Sequence, residues 1–102
     1  MANGFNFNKV QRRYFNVTLK NGKTYLVAMP EKATFETLVA LKSAAVEDVI
    51  EDLYECVAKI ISNNKQGYKA KMEDIKAYSF DEIMQFIGAY TDFIQGLKNE
   101  KN

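Results

Sequence analysis

The stretch "VTLKNGKTYLVAMP", residues 17–30, constrains this chain more than any other. Two runs that alternate with a period of two flank Asn21-Gly22, and each run is bordered by a lysine. An Asn-Gly pair between alternating runs is the strongest short-range signal for a β-hairpin, because both residues tolerate positive φ in a two-residue type I′ turn. Such a loop sets the register. It places Lys20 opposite Lys23 and pairs Leu19 with Thr24, Val17 with Leu26 and Phe15 with Ala28. That apolar face is expected to cover the rest of the protein. The opposite face pairs Thr18 with Tyr25, Asn16 with Val27 and Tyr14 with Met29. Pro30 ends the second strand, since it has no N–H for a ladder.

After Pro30 the period changes to that of helices. Thr34 is the expected cap of a first helix over about 34–42, with Phe35, Leu38, Val39 and Leu41 inward. Ser43 either caps the next helix or marks a kink. The second helix, about 44–62, carries Val46, Val49, Ile50, Leu53, Val57, Ile60 and Ile61 at the three-four spacing of one face. Glu47, Asp48, Glu51, Asp52 and Glu55 take the other side, with acids early and Lys59 late, as the helix dipole favours. "SNNKQG" stops it, with Gly67 suited to a left-handed cap. A short helix is expected over about 72–77. Ser79 and Glu82 form a capping box for a last helix over about 80–97. Its stripe of Phe80, Ile83, Met84, Ile87, Tyr90 and Ile94 is widened by Phe86, Phe93 and Leu97.

The 102 residues therefore read as a single α+β domain over 13–97: a two-stranded antiparallel hairpin (13–30), then a bundle of three to four helices. Residues 1–12 and 98–102 are expected to be flexible tails. With 47% apolar and 13% aromatic residues, the chain is compositionally suited to a packed core.

The catalytic inventory is thin. The chain has no histidine, which removes His-based triads, acid–base steps and metal sites. The five glycines are scattered and form no phosphate-cradling loop. Cys56 is the one cysteine, so no internal disulfide can form, and it reads as a buried filler. The acids of the second helix are spread along an exposed face and lack a convergent loop for calcium or magnesium. The expectation is a non-enzyme without catalytic residues, cofactor or metal. No apolar run approaches a membrane span and no signal peptide is evident, so a cytosolic, membrane-free protein is expected.

Charge is unevenly placed. Residues 1–30 carry +5, residues 31–62 carry −4 and residues 63–102 are neutral, within a net charge of +1. Arg12, Arg13, Lys20 and Lys23 make the basic hairpin a candidate nucleic-acid reader. The competing reading takes lysines beside a turn as ordinary devices against aggregation. Two features point instead to protein partners. The stripe of the last helix is wide, and a lone hairpin leaves two edges unpaired. Strand addition or helix-in-groove packing would satisfy them.

From "YFNVTLKNGKTYLVAMPEKATFETLVALK" through "YECVAKIISNNKQGYKAKMEDIKAYSFDEIMQFIGAYTDFIQGL", the chain resembles the tail assembly chaperones of long-tailed phages and prophages of Gram-positive bacteria. The resemblance spans about residues 13–97. It rests on the hairpin, the break at Asn63 to Gly67, the acidic segment Met72 to Ile75 and the final helix from Ser79. The break departs from the pattern in offering Tyr68 without a threonine. The resemblance implies a non-enzymatic protein of the host cytoplasm, absent from the mature virion. Such a protein self-associates and coats the long helical tape measure protein during tail assembly. By this implication Phe86, Tyr90, Phe93, Ile94 and Leu97 would contact the partner. Phe15, Val17, Tyr25, Val27 and Met29 would mediate self-association.

Overall fold

The computed structural model describes residues 4–99, with side chains through residue 96. Strands β1 (Tyr14–Thr18) and β2 (Thr24–Ala28) form an antiparallel hairpin. It is followed by helices α1 (Lys32–Lys42), α2 (Val46–Ser62), α3 (Met72–Lys76) and α4 (Phe80–Asn99). A single 3-10 turn, Phe7–Lys9, precedes the hairpin. This is the α+β architecture that the change of period implies.

The hairpin register differs by one residue from that of a two-residue loop. Tyr14 pairs with Ala28, Phe15 with Val27, Asn16 with Leu26, Val17 with Tyr25 and Thr18 with Thr24. The loop holds three residues. Leu19 N–H donates to the Lys23 carbonyl and Gly22 N–H to the Leu19 carbonyl, each at 2.9 Å. Only Gly22 takes positive φ, at 87°. Asn21 instead uses its side chain, whose Oδ1 accepts from the Lys23 N–H at 2.9 Å. This is the three-residue hairpin with a glycine bulge, the next most common solution after the primed two-residue turns. A slip of one residue exchanges the faces of a strand. Val27 and Tyr25 therefore turn inward with Phe15, Val17 and Leu19. Leu26 and Ala28, expected inward, join Tyr14, Asn16 and Thr18 on the outer face.

α1 begins earlier than Thr34. Glu31 occupies its N-cap without a side-chain hydrogen bond, and Thr34 lies in the first turn. Ser43 closes α1, its N–H directed at the Ala40 and Leu41 carbonyls, and the extended Ala45 separates α2 as a distinct helix. α2 ends at Ser62 with Asn63 as its C-cap, so Gly67 (φ 79°) bends the following loop rather than capping the helix. The capping box of α4 is formed on both sides. Ser79 N–H donates to Glu82 Oε1 at 2.8 Å, and Glu82 N–H donates to Ser79 Oγ at 3.1 Å.

The core joins Val17 and Val27 of the hairpin to Leu38, to Leu53, Val57, Ile60 and Ile61 of α2, and to Ile75, Ile83, Ile87 and Tyr90. Burial of apolar side chains supplies most of the stabilisation here, at about 1.5–3 kcal/mol for each one fully buried. Some of the expected core does not reach it. Phe35 and Val39 of α1 remain 39% and 49% exposed, and Val46 and Ile50 of α2 remain 42% and 40% exposed. The molecule is elongated, 54 × 31 × 22 Å; Phe35 and Val39 lie on a flank of α1 beside the buried Leu38, and Val46 and Ile50 lie in the first turns of α2, before its buried part begins at Leu53.

Candidate protein-binding surface

α1 offers four apolar side chains at helical spacing but sinks only Leu38, which is 2% exposed. Leu41 is half-buried. Phe35 and Val39, four residues apart and therefore neighbours on one flank, face an open groove. Its opposite wall is α4, through Thr91, Ile94 and Gln95, and Leu38 forms part of its lining. Among the described residues Lys42 is its one charged lining residue. The groove encloses about 280 Å³. It offers apolar walls, a polar margin and the Lys42 cation, and it has the form of a seat for a helix or an extended apolar segment.

The residues expected to contact a partner are divided by the fold. Ile94 lines this groove. Tyr90 does not: it is fully buried, and its hydroxyl donates to the Ala28 carbonyl at 2.9 Å. Burial, with Cys56 adding a smaller effect, pushes its phenol well above the ordinary tyrosine range. Phe86 and Phe93 are half-buried on either side of the Phe15 ring, with centroids 6.3 and 5.2 Å from it. The wide stripe of α4 is thus partly spent within the chain. The hairpin covers its aromatic middle, while Ile94 is half-buried against the core and lines the groove with its remaining surface. The Leu97 side chain lies outside the described residues.

The residues expected to mediate self-association are mostly internal. Val17 and Val27 are buried, and Phe15 packs against α4. Tyr25 stacks on Tyr68 with centroids 4.3 Å apart. Met29 alone counts among the exposed large apolar residues. Nor are both hairpin edges open. The segment after α2 lies along β2: Ala28 N–H donates to the Asn63 carbonyl at 2.8 Å and Lys65 N–H to the Leu26 carbonyl at 2.9 Å. Leu26 N–H reaches Gln66 Oε1 at 3.1 Å. Asn64 holds this segment in place. Its Nδ2 donates to the Ile61 and Tyr68 carbonyls, and its Oδ1 accepts from the Tyr68 N–H. The sequence cue for this plug is the run of amides in "SNNKQG", which reads as a helix stop and also as a supply of side-chain donors and acceptors. The outward main-chain groups of β1, at Tyr14, Asn16 and Thr18, take no part in such bonds among the described residues.

The basic residues of the hairpin are not assembled into one probe. Lys20 is latched to the helices. Its Nζ is 3.0 Å from Glu82 Oε1 and 5.0 Å from the Tyr78 ring, and its N–H donates to the Tyr78 hydroxyl at 3.1 Å. Tyr78 is held in turn, because Tyr54 donates its hydroxyl to the Tyr78 carbonyl at 2.9 Å. Lys23 is exposed beside Lys20, whereas Arg12 and Arg13 precede the far end of β1, roughly 20 Å along the strand at about 3.3 Å per residue. Cys56 is buried at 2% exposure, and burial pushes its thiol up, with Lys59 opposing.

No family model, no curated protein and no solved structure matches this chain. Among the described residues no helix is long and apolar enough to cross a membrane.

Proposed function

We propose that this chain is a non-enzymatic binding and assembly protein of the phage tail chaperone type, acting in the bacterial cytoplasm and absent from the mature virion. It self-associates and holds a long amphipathic helical partner, the tape measure protein, soluble during tail assembly. The observation that carries this reading is the α1–α4 groove. Phe35 and Val39 stand exposed on a helix whose Leu38 is fully packed, opposite Ile94 and beside Lys42. A partner helix with apolar residues at i, i+3 and i+4 and an acid toward the Lys42 end matches that surface. Each site is small and binds weakly. Many copies along a long helix would hold it by avidity. The nucleic-acid alternative draws no support from the Lys20 latch, which commits the tip lysine to Glu82.

The test is co-expression with a long, heptad-rich helical protein encoded beside this chain. The expected result is a soluble complex that co-elutes on gel filtration, and its loss with Phe35→Ser plus Val39→Ser. Unchanged yield and solubility of the partner, with no complex, would overturn the reading.

A further inference from the structure

We propose that the N-terminal arm of one copy, from Gly4 to Lys9, docks on the open β1 edge of a second copy and seats its phenylalanines beneath that edge. The proposal rests on the self-association in the reading above and not on the helical partner. Three observations converge on it.

The arm carries apolar side chains that this chain leaves uncovered. Phe5 and Phe7 are 72% and 83% exposed, and their rings meet one another edge to face with centroids 4.8 Å apart. They are two residues apart, so in an extended segment they share one face about 7 Å from each other. Asn6 between them already has extended backbone, with φ −119° and ψ 108°. The single 3-10 turn that follows is exposed throughout and rests on few hydrogen bonds, such as Lys9 N–H to the Asn6 carbonyl at 3.0 Å. Straightening it disrupts little.

The receiving edge is one-sided. Among the described residues β1 offers a continuous row of unbonded ladder groups, at Tyr14, Asn16 and Thr18, whereas Asn63 to Gln66 bond the edge of β2 at Leu26 and Ala28. Beneath β1 lies a cleft of about 250 Å³, mainly apolar, between Val17 and Leu19 on one side and Ile83 and Phe86 on the other, floored by Val57 and Ile61. Two residues back along the strand from Val17, the half-buried Phe15 sits against Phe86 and Phe93. A strand added to β1 would put one phenylalanine over the cleft and the other over that aromatic cluster. The spacing of the ligand therefore matches that of the surface: main-chain bonds supply affinity and alternate side chains fill pockets.

The arm is aimed away from its own edge. From Val10, with extended φ −68° and ψ 129°, the chain enters β1 at Tyr14 without a turn. An arm that folds back onto its own β1 needs a reversal within residues 10–13, and the structure has none there. A second copy needs no such reversal.

Sedimentation equilibrium of the full chain without any partner tests this. The wild type is expected to associate, with mass rising above 11.7 kDa as concentration increases. Phe5→Ser plus Phe7→Ser removes only exposed side chains, and should weaken association by roughly tenfold or more, with an unchanged thermal midpoint at concentrations where the wild type is monomeric. Asn16→Pro should do the same, because it deletes an outward N–H that the β1–β2 ladder does not use. A wild type that stays at 11.7 kDa up to about 0.5 mM, a range that admits even weak self-association, overturns the proposal and includes the case of an arm closing on its own edge. Association that survives the double serine variant overturns it as well. Association that is lost with the serines but kept in a folded Asn16→Pro chain overturns the strand addition. Co-expression with the helical partner remains informative in every case, since Phe35 and Val39 are untouched.

Discussion

The Tyr90 hydroxyl donates to the carbonyl of Ala28 across 2.9 Å, joining α4 to the end of β2 over a separation of 62 residues. The phenol is fully buried and the bond consumes its one donor. Tyr90→Phe keeps the ring and deletes only this bond, so it should lower stability by about 1–2 kcal/mol, measured by urea unfolding. An unchanged midpoint would mean that the carbonyl finds water instead. Because burial raises the phenol above its unfolded value, the folded state holds this proton more tightly than the unfolded state. The stability tied to it is fully present below the ordinary tyrosine range and falls as the solution becomes more alkaline. Tyr90→Phe should flatten that alkaline decline.

Leu53 and Ile50 lie three residues apart on one stripe and have opposite fates. Leu53 is 2% exposed and Ile50 40%. Leu53→Ala should cost about 2–5 kcal/mol through lost burial and the cavity left behind. Ile50→Ala should cost under about 1 kcal/mol, as for a surface change without a cavity. Chemical denaturation of the two variants checks the pair. Equal losses would place the end of the core a full turn further along α2 than the structure has it.

Glu82 serves two structures at once. It closes the capping box with Ser79 and holds Lys20 of the hairpin tip. The bond from the Ser79 backbone N–H, then the Lys20 ammonium, holds its carboxyl below the ordinary range. A carboxyl lowered on folding binds its proton more readily in the unfolded chain. Its contribution is therefore present above the ordinary carboxylate range and lost as pH falls through the lowered value. Glu82→Gln should retain part of the cap and lose the latch. Its stability should vary less with pH on the acid side than the wild type's. A parallel acid-side decline in both proteins would show that Glu82 contributes nothing to it.

Much of this arrangement was legible because local signals agree with the tertiary structure. The amphipathic half of α2 from Leu53 onward, the Ser79 capping box and the hairpin itself follow from spacing alone. Two things escaped. Burial of an apolar stripe depends on where the neighbouring elements lie, so Phe35 and Val39 on a flank of α1, and Val46 and Ile50 in the first turns of α2, read as core and are exposed. The turn differs from the two-residue loop for a chemical reason. Asn21 can enter a turn through positive φ or through its side chain, and here Oδ1 takes the Lys23 N–H, which leaves the positive φ to Gly22 alone. The groove was half legible. Ile94 stands out on the wide α4 stripe, while its partners Phe35 and Val39 look like ordinary inward residues.

That turn chemistry is open to a direct test at the next pair of residues. In a two-residue loop Leu26 faces the core and Val27 faces solvent; in the observed hairpin Val27 is fully buried and Leu26 is half-buried on the outer face. Val27→Ser puts a hydroxyl in the centre of the core and removes two methyl groups, and should cost about 2–4 kcal/mol from lost burial and an unpaired polar group. Leu26→Ser loses only part of a side chain's burial and should cost about 1 kcal/mol. Thermal melts of the two variants measure the order. If Leu26→Ser proved the more damaging, the strands would be paired in the other register, and the outward groups of β1 would be those of its odd-numbered residues.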